Sequence, residues 1–369
     1  MPIRRLDRLP RLLAACTAGI APVACGGPLP VAGGLGGHAY YQTAFPAYDT
    51  SEILGRTFES VKRIQTTAIY ETYTFAPNDA PTEGEVGEPD ILRSAVDTTS
   101  FPHERAATAV VLSSSSGNVA LLTANHALEF PDRIIQFFDD ENGRAGAAAR
   151  PPGSRLVESI SIKTHQTNWL LGATLEPFEV LERDPIRDLA LIGVREPLER
   201  TRAGPIPGIP LEERARRIQV LSLPAGESQR LSWGSFVYVI GYPKGYPMVT
   251  RGIVSTPDER TSGTFLVDGL WNRGSSGGLI LAVRGDGRGL EWVGMARGAA
   301  ATTEIRLVPE ERTESPGGVR RPYEGRIFLE EYRGVDYGIT FSVPMHEIRR
   351  FLNERRPALA QRGFVLPRL

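Results

Sequence analysis

Residues 271–281 read Trp-Asn-Arg-Gly-Ser-Ser-Gly-Gly-Leu-Ile-Leu, and they place Ser276 at the centre of a run of glycines and serines. A nucleophilic serine needs backbone N–H groups beside it to hold the oxyanion of a tetrahedral intermediate, and only small residues let a carbonyl approach that closely. The stretch 274–278 supplies such residues. Because glycine and serine also form ordinary turns, this stretch alone is compatible with a catalytic loop or with a plain one.

Two residues upstream have the chemistry to activate a serine. His126 follows the strand-like run Val119–Thr123, where a sheet would fix its backbone while its ring faces a cleft and acts as a base. Asp188 opens an apolar run, and a carboxylate at the rim of a core can orient an imidazole and stabilise its charge. Taken singly, His126 is also compatible with a surface or core histidine, and Asp188 with a turn cap. Asp184 competes with Asp188, although the proline after it favours a turn.

The elements that must position these residues are predicted to be mostly strands. The chain has 39 glycines and 29 prolines, which favours many short strands joined by turns and therefore an all-β fold. Two runs separated by Ser-Ser-Ser-Gly-Asn predict a hairpin over 108–123. Apolar residues at helical spacing after Pro344 predict an amphipathic C-terminal helix. Other strands are predicted at 60–75, 133–138, 178–182, 188–194, 217–223, 236–241, 264–267, 279–283, 292–296 and 338–343.

The bulk composition excludes several classes of protein. A chain of 369 residues with 41% hydrophobic content can form one large or two ordinary domains around a sizeable core. Its 42 basic and 43 acidic residues give a net charge of −1, so no overall field favours nucleic acid as a partner. The sequence has no HExxH pair and no cysteine cluster, so neither a metal nor another cofactor is expected.

The N-terminus is typical of an export signal. Four arginines precede the small apolar run 12–24, and Cys25-Gly-Gly follows it, as in bacterial lipoprotein leaders. Pro22 replaces the branched aliphatic residue usual three before the cysteine, so ordinary cleavage near Ala24 and a short retained anchor stay open beside lipidation of Cys25. Residues 1–25 are interpreted as this leader and 26–50 as a flexible tether rich in glycine and proline. The expected location is the periplasm or cell envelope.

The order histidine, aspartate, serine, each at a strand edge, is that of chymotrypsin-like enzymes. The local sequences resemble the HtrA/Deg branch of the trypsin-like serine peptidases. Seven blocks in family order carry the resemblance: Leu-Leu-Thr-Ala-Asn-His (121–126), Arg-Asp-Leu-Ala-Leu-Ile (187–192), Val-Ile-Gly-Tyr-Pro-Lys-Gly (239–245), Val-Thr-Arg-Gly-Ile-Val-Ser (249–255), Asn-Arg-Gly-Ser-Ser-Gly-Gly (272–278), Val-Gly-Met-Ala (293–296) and Tyr-Gly-Ile-Thr-Phe-Ser-Val-Pro (337–344).

This resemblance implies two perpendicular six-stranded antiparallel β-barrels with the active site between them. The peptidase domain is then expected over 51–356, followed by a tail at 357–369. Within it, the resemblance places an N-terminal barrel at about 51–204 and a C-terminal barrel at about 211–343, on either side of the proline-rich connector 205–210. A C-terminal helix follows at 344–356. The stretches 139–168 and 300–325 are interpreted as inserts beyond the family minimum.

The resemblance also implies a role for each candidate residue. His126 matches the general base, Asp188 the orienting acid and Ser276 the nucleophile, and the backbone N–H groups of Gly274 and Ser276 match the oxyanion hole. Leu270 matches the base of the primary side-chain pocket, which predicts cleavage after aliphatic or other uncharged residues. The substrate main chain is expected to add as a strand near Met295, Ala296 and Arg297.

Departures from the family pattern limit what is carried over. Ser275 and Leu279 replace a common asparagine and proline, but these side-chain changes leave the backbone donors intact. No PDZ-like segment is recognisable, so regulation through such a domain is not expected. Polypeptides are the implied substrates, with protein quality control in the envelope as an implied role, and trimers occur in the resembled family.

Two rival interpretations remain open. The stretch Gly274–Gly278 also fits the G-x-S-x-G motif, and Ser276, Asp336 and His346 follow in esterase order. However, the run after the serine resembles a strand, whereas a nucleophile elbow leads into a helix. The other alternative is a peptide-binding pseudoprotease, because an oxyanion loop can collapse even when all three side chains are present.

Overall fold

The computed structural model describes residues 39–46, 49–88, 90–138, 153–171, 175–195, 218–258, 263–269, 271–287, 289–309 and 327–369. The predicted leader with Cys25, most of the tether, Leu270 and the connector 205–210 lie outside the described residues, as do parts of both predicted inserts. No helix among the described residues combines the length and the apolar character needed to cross a bilayer.

The described residues form helices α1 (Ser51–Phe58) and α2 (Met345–Gln361). The strands are β1 (Val61–Thr74), β2 (Asp97–Ser115), β3 (Asn118–Ala124), β4 (Arg133–Phe137), β5 (Val157–Leu171), β6 (Leu175–Pro177), β7 (Glu179–Asp184), β8 (Leu189–Arg195), β9 (Phe236–Gly241), β10 (Met248–Thr256), β11 (Phe265–Val267), β12 (Leu279–Val283), β13 (Leu290–Pro309) and β14 (Ile327–Pro344). They make up two antiparallel sheets, which confirms the all-β prediction.

The first sheet has the strand order β4-β5-β1-β2-β3-β8-β7, with β6 paired to β5. Strands β3 and β8 are buried almost throughout because the sheet packs on both faces. Their alternate residues join different cores: Leu122 and Leu191 belong to one cluster, and Leu121 and Ile192 to another. This period of two explains why both strands are continuous apolar runs in the sequence.

The six-stranded barrel predicted for this half needs a correction. The sheet has eight strands among the described residues, and its terminal strands β4 and β7 do not pair with each other. The physical reason is β5, most of which lies in the stretch 139–168 that was interpreted as an insert. Its 15 residues pair with β1 on one side and with β4 and β6 on the other.

The second sheet is a closed barrel of six strands in the order β10-β11-β14-β13-β12-β9, as predicted. The largest core cluster lies between this barrel, the first sheet and α2. It joins Leu122 of β3 to Ile240 of β9, Leu281 of β12 and Phe351 of α2. Both sheets are therefore held against each other by apolar packing, and the ends of β3, β8 and β12 meet along one seam.

The C-terminal helix is confirmed, but it is longer than predicted. Met345, Ile348, Phe351 and Leu352 are all buried, as their spacing indicated. The helix continues to Gln361 despite Pro357, whose ring and missing N–H destabilise a helix interior. It continues because Leu359 is fully buried in the same core, so burial offsets the loss of one backbone hydrogen bond.

Two other strand predictions differ from the structure. Residues 218–223 form no strand, because β2 beside them already pairs with β1 and β3, and only isolated bonds such as Leu221 N to the Val111 carbonyl (2.9 Å) remain. Strands β13 and β14 have 20 and 18 residues. Both are far longer than predicted, since residues 301–309, interpreted as an insert, continue the ladder of β13 with β14.

Candidate active site

His126 lies in a one-turn 3-10 helix, Asn125–Ala127, directly after β3. The pairing of Ala124 with Leu189 brings this turn against the residue that precedes β8, which is Asp188. The His126 N–H donates to Asp188 Oδ1 (2.8 Å), and His126 Nδ1 lies 2.7 Å from Asp188 Oδ2. On the other side of the ring, His126 Nε2 lies 3.0 Å from Ser276 Oγ. The three residues predicted from the sequence are therefore brought into one chain of contacts.

Asp188 has an unusual backbone. Its φ is +58°, in the left-handed region that costs most residues energy and that aspartate tolerates better than most. Its carbonyl accepts a hydrogen bond from Asn125 N (3.1 Å), and its side chain is nearly buried. The left-handed turn points both carboxylate oxygens at His126, and such strained conformations are often found at functional sites.

The loop around Ser276 depends on its glycines. Gly274 and Gly277 have φ values of +102° and +88°, and a Cβ at either would clash with a backbone carbonyl, of Tyr242 and of Thr108 respectively. Both glycines were singled out from the sequence for their small size. The neighbouring carbonyls leave no space for a side chain, which is the physical reason that glycine is required at both positions.

The two predicted oxyanion donors are oriented by their neighbours. The Arg273 carbonyl accepts from Lys244 N (2.6 Å), and the Ser275 carbonyl accepts from Gly278 N (2.9 Å). In a trans peptide the carbonyl and the following N–H point in opposite directions. The N–H groups of Gly274 and Ser276 therefore point away from these partners, and within the described part of the chain neither donates to another backbone group.

Thr108, at the middle of β2, was not identified as a site residue from the sequence. Its buried hydroxyl donates to the Gly274 carbonyl (2.7 Å) and accepts from Tyr242 N (2.9 Å). Its own N–H donates to the Ser276 carbonyl (2.8 Å). The first sheet thus holds the serine loop of the second through one residue. The sequence signal that could have identified Thr108 is a hydroxyl within an apolar strand, because a buried hydroxyl needs a hydrogen-bond partner.

A cavity of about 720 Å³ opens beside these residues. Its apolar lining consists of Trp271, Ala299, Ala301, Val335 and Phe341, and its charged lining of Glu129, Asp188, Arg273 and Arg297 together with His126. Leu270, predicted at the base of the side-chain pocket, lies outside the described residues. The described apolar lining is nevertheless compatible with uncharged side chains in this cavity.

Of the three residues predicted to pair with the substrate main chain, only Arg297 lines the cavity. Met295 and Ala296 are completely buried. Met295 pairs with Leu279 of β12 and Val343 of β14, while Ala296 exchanges backbone hydrogen bonds with Gly277 and Gly278, so neither has a free edge. Arg297 has a further contact that was not predicted, because its Nε lies 3.6 Å from Asp188 Oδ2.

Asp184, the competing acid, has other partners. It accepts from the backbone N–H of Arg187 (3.0 Å) and from its guanidinium (2.5 Å), and Arg187 Nε also donates to Glu347 of α2 (2.7 Å). Burial opposes the ionisation of Asp184, but the hydrogen bonds from Arg187 outweigh it and hold the pKa of Asp184 below its ordinary value. This ion-pair group fixes the turn before Asp188 to α2.

The residues of the esterase alternative are not brought together. His346 Nδ1 lies 3.2 Å from Ser228 Oγ and 3.4 Å from Asp258 Oδ2. Asp336 accepts instead from Thr302 Oγ1 (2.8 Å). Burial raises the pKa of Asp258 above its ordinary value, although His346 opposes the shift. Neither His346 nor Asp336 is among the residues that line the cavity beside Ser276.

A family model described as a trypsin-like peptidase domain matches residues 107–290, about half of the chain. No curated protein matches significantly. Among solved structures, the chain is similar to the HtrA-type protease AlgW with decapeptide (TM-score 0.40, 15% identity) and to the serine endoprotease from Yersinia pestis (TM-score 0.39, 12% identity). Both alignments cover 83% of this chain, and they cover 68% and 66% of those two chains.

Proposed function

Given that this chain belongs to the trypsin-like peptidases and is a serine endopeptidase, we propose that it hydrolyses peptide bonds with Ser276 as nucleophile, His126 as general base and Asp188 as the acid that orients the imidazole. The observation that carries the assignment is the continuous contact from Asp188 Oδ2 through His126 to Ser276 Oγ, at 2.7 Å and 3.0 Å. Distances of this size allow direct proton transfer between the groups.

The proposed reaction is acyl transfer in two halves. His126 Nε2 takes the proton of Ser276 Oγ as the oxygen attacks the peptide carbonyl. The oxyanion is held by the N–H groups of Gly274 and Ser276. Asp188 stabilises the imidazolium, which then protonates the leaving amine. Water repeats the sequence on the acyl-enzyme and releases the new carboxyl end.

The lining of the cavity supports a preference for uncharged side chains. Val335 and Phe341 offer exposed apolar surface. The two arginines and two carboxylates of the lining balance in charge, so the preference rests on the apolar residues. Leu270→Asp is expected to move cleavage towards basic residues if position 270 forms the base of the pocket. Sequencing of product ends measures this, and an unchanged cleavage map would contradict the assignment.

Main-chain binding by strand addition is proposed to begin at Arg297. The pairing of β13 with β12 ends at Met295, so the edge of β13 beyond Ala296 has no partner on that side among the described strands. An extended substrate can add its backbone hydrogen bonds to such an edge. This refines the prediction from the sequence, which included Met295 and Ala296.

The test is degradation of reduced, carboxymethylated α-lactalbumin by the chain lacking residues 1–25, with Ser276→Ala and Ser275→Ala as paired variants. Ser275 precedes the nucleophile and is buried in the same loop, so its alanine variant controls for disturbance of the loop. Loss of cleavage and of fluorophosphonate labelling in Ser276→Ala alone supports the proposal. Equal activity of both variants, or binding of the substrate without turnover by the unmutated chain, contradicts it; the second result would favour the pseudoprotease.

Export and an envelope quality-control role belong to the same proposal. They are supported by the arginines, the apolar run and Cys25 of the leader sequence. Mass spectrometry of the mature N-terminus from an envelope fraction tests the proposal. A diacylated N-terminal Cys25 indicates lipid anchoring, a start near Gly26 without lipid indicates ordinary cleavage, and an intact Met1 in the soluble fraction contradicts export. A trimer remains a proposal from the resemblance, to be tested by sedimentation.

A further inference from the structure

Strands β13 and β14 continue beyond the barrel as a two-stranded arm, defined here as residues 301–309 paired with 327–335. The pairing runs from Ala301 opposite Val335 to Pro309 opposite Ile327. No other described strand pairs with this part of the ladder. A two-stranded ribbon has marginal stability by itself in water, so a partner that covers one face would stabilise the arm.

The two faces of the arm differ in chemistry. Successive residues of a strand point to opposite faces, and residues directly opposite each other share a face. On one face, the guanidinium of Arg306 lies over the ring of Tyr332 (3.4 Å to the ring centre) and pairs with Glu304 (3.0 Å). The guanidinium covers one side of the ring, while Tyr332 as a whole is 44% exposed.

The other face, called the cavity face, carries exposed aliphatic side chains towards its outer end, and Thr303, Glu331 and Arg333 also lie on it by register. Ile305, Leu307 and Ile327 belong to it and are 64%, 71% and 55% exposed. Ala301 and Val335 lie on the same face at the base of the arm, and both line the cavity beside Ser276. The cavity face therefore begins at the wall of the active site and leads past polar residues to the aliphatic side chains at the outer end of the arm.

The dimensions of this face fit an extended chain better than a second folded molecule. Six residues separate Ala301 from Leu307, about 20 Å at the rise of a strand, and two strands are about 10 Å wide. The resulting strip of roughly 200 Å² is far below the ~800 Å² that each partner contributes to a stable protein interface. An extended polypeptide has a comparable width and presents side chains to one face at every second residue.

We propose that the cavity face of the arm binds apolar side chains of an unfolded polypeptide substrate, several residues away from the bond that is cleaved. This inference rests on the proposed function, since it assigns the substrate class of the same site. The enzyme then favours unfolded chains with apolar residues at alternate positions over short peptides, because only a longer chain reaches Ile305 and Leu307 while its scissile bond lies at Ser276.

The experiment compares Ile305→Ser/Leu307→Ser with Glu304→Ser/Arg306→Ser, a matched double variant on the opposite face of the same strand. The probes are reduced, carboxymethylated α-lactalbumin and a tripeptide p-nitroanilide ending in leucine. A tripeptide spans about 10 Å and does not reach Ile305. We expect the cavity-face variant to raise KM for the protein about fivefold, since each lost aliphatic contact contributes part of a side-chain burial. Tripeptide hydrolysis by this variant and both activities of the control variant should be unchanged.

A second measurement separates this inference from the proposed catalysis. In a Ser276→Ala background, the dissociation constant for fluorescein-labelled carboxymethylated α-lactalbumin is measured by anisotropy. Weaker binding by the cavity-face variant supports substrate binding by the arm. If the unmutated chain cleaves neither probe but this difference in binding is seen, the proposed function fails while the inference about the arm stands. Equal binding by both double variants overturns the inference. So does a change of oligomeric state with the cavity-face variant, which would assign that face to a second copy of the chain.

Discussion

Thr108 connects the two sheets at the position where the oxyanion is expected to form. Its hydroxyl lies between the Gly274 carbonyl and Tyr242 N, and its own N–H binds the Ser276 carbonyl. These contacts fix the peptide plane that follows Gly274 and the one that follows Ser276, the proposed nucleophile. Thr108 is therefore a positioning residue, and its effect on the reaction passes through Gly274 and Ser276.

Thr108→Val keeps the shape of the side chain but removes the hydroxyl. We expect kcat to fall about 10- to 100-fold with a small change in KM, because a displaced oxyanion donor weakens the transition state more than the bound substrate. Steady-state kinetics on the tripeptide anilide measure this. Thr66→Val is the matched control, since Thr66 is equally buried and its hydroxyl has no hydrogen-bond partner among the described residues. Equal losses in the two variants would contradict the role given to Thr108.

Asp188 combines a charge with a left-handed backbone, and two substitutions separate these roles. Asparagine tolerates a positive φ and can still accept from His126 N, whereas alanine does neither. We expect Asp188→Asn to lose about 10⁴-fold in kcat with nearly unchanged stability, because the amide favours the wrong imidazole tautomer. Asp188→Ala should lose about 1–2 kcal/mol of unfolding free energy as well. Urea unfolding of both variants checks this, and equal stabilities would show that the backbone is unstrained.

The sequence was sufficient to propose the three reacting side chains but not the residues that hold them. His126, Asp188 and Ser276 each follow or precede a recognisable strand, so local patterns identify them. The roles of Thr108 and Arg297 arise from contacts between segments more than 80 residues apart. Such contacts depend on how the two sheets dock, which no local period of the sequence encodes.

At the scale of elements, α2 is fixed to the turn that carries Asp188. Arg187 bonds to Asp184 in this turn and to Glu347 of α2, and a further contact joins it to Glu354 (3.2 Å). The carboxylates overcome the burial of the guanidinium and raise the pKa of Arg187. The helix therefore stabilises the turn before Asp188 as well as closing the core.

Asp184→Asn tests this contact through its dependence on pH. The folded-state pKa of Asp184 is depressed, so its carboxylate contributes stability above its ordinary pKa of about 3.9 and loses that contribution as the pH falls through the folded value. We expect the unmutated chain to exceed the variant by about 1–3 kcal/mol at pH 7. The difference should shrink below about pH 4.

Urea unfolding between pH 3 and pH 7 measures that difference. Asp132→Asn is the control, because Asp132 also pairs with a cation, Lys163 (2.7 Å), but its side chain is almost fully exposed. The control should show a smaller effect that salt weakens. If the difference in unfolding free energy between the unmutated chain and Asp184→Asn does not change with pH, the charge of Asp184 is not its cause.

The elements show where sequence periodicity succeeds and where it fails. β3, β9 and β12 are compact apolar runs, and the sequence located each of them closely. The outer parts of β13 and β14 carry charges between their aliphatic residues, so their period is weak. The part in β13 was interpreted as an insert, and no strand was predicted for the part in β14. Backbone pairing with each other, rather than burial, gives these segments their strand structure.

For the molecule as a whole, the segment 39–46 packs against the barrel where β9 begins and β12 ends. Gln42 N donates to the Val283 carbonyl (2.9 Å), and Phe236 N donates to the Gln42 carbonyl (2.7 Å). Between them, the buried hydroxyl of Tyr41 donates to Glu291 (2.8 Å) and accepts from Glu227 N (2.8 Å). Burial and the neighbouring Glu291 raise the pKa of Tyr41, so the phenol stays protonated as the donor.

Tyr41→Phe is expected to lower the unfolding free energy by about 1–3 kcal/mol, because Glu291 and the Glu227 N–H lose a buried partner. Tyr40→Phe is the matched control, since the neighbouring tyrosine is 45% exposed. Urea unfolding at pH 7 compares the two variants. Catalytic constants of the folded protein should not change in either, and a loss of stability confined to Tyr40→Phe would show that the segment is held by other contacts.

The division of the site between two sheets has a consequence during synthesis on the ribosome. His126 and Asp188 emerge with the first sheet, but Ser276 follows almost 90 residues after Asp188, and Arg297 later still. Domains fold from the N-terminal side as the chain lengthens. A nascent first sheet would therefore hold the proposed base without the proposed nucleophile, and Thr108 would have no loop to contact until the barrel has formed. We expect the peptidase to be inert while it is being made and to gain activity only when its last strands have paired.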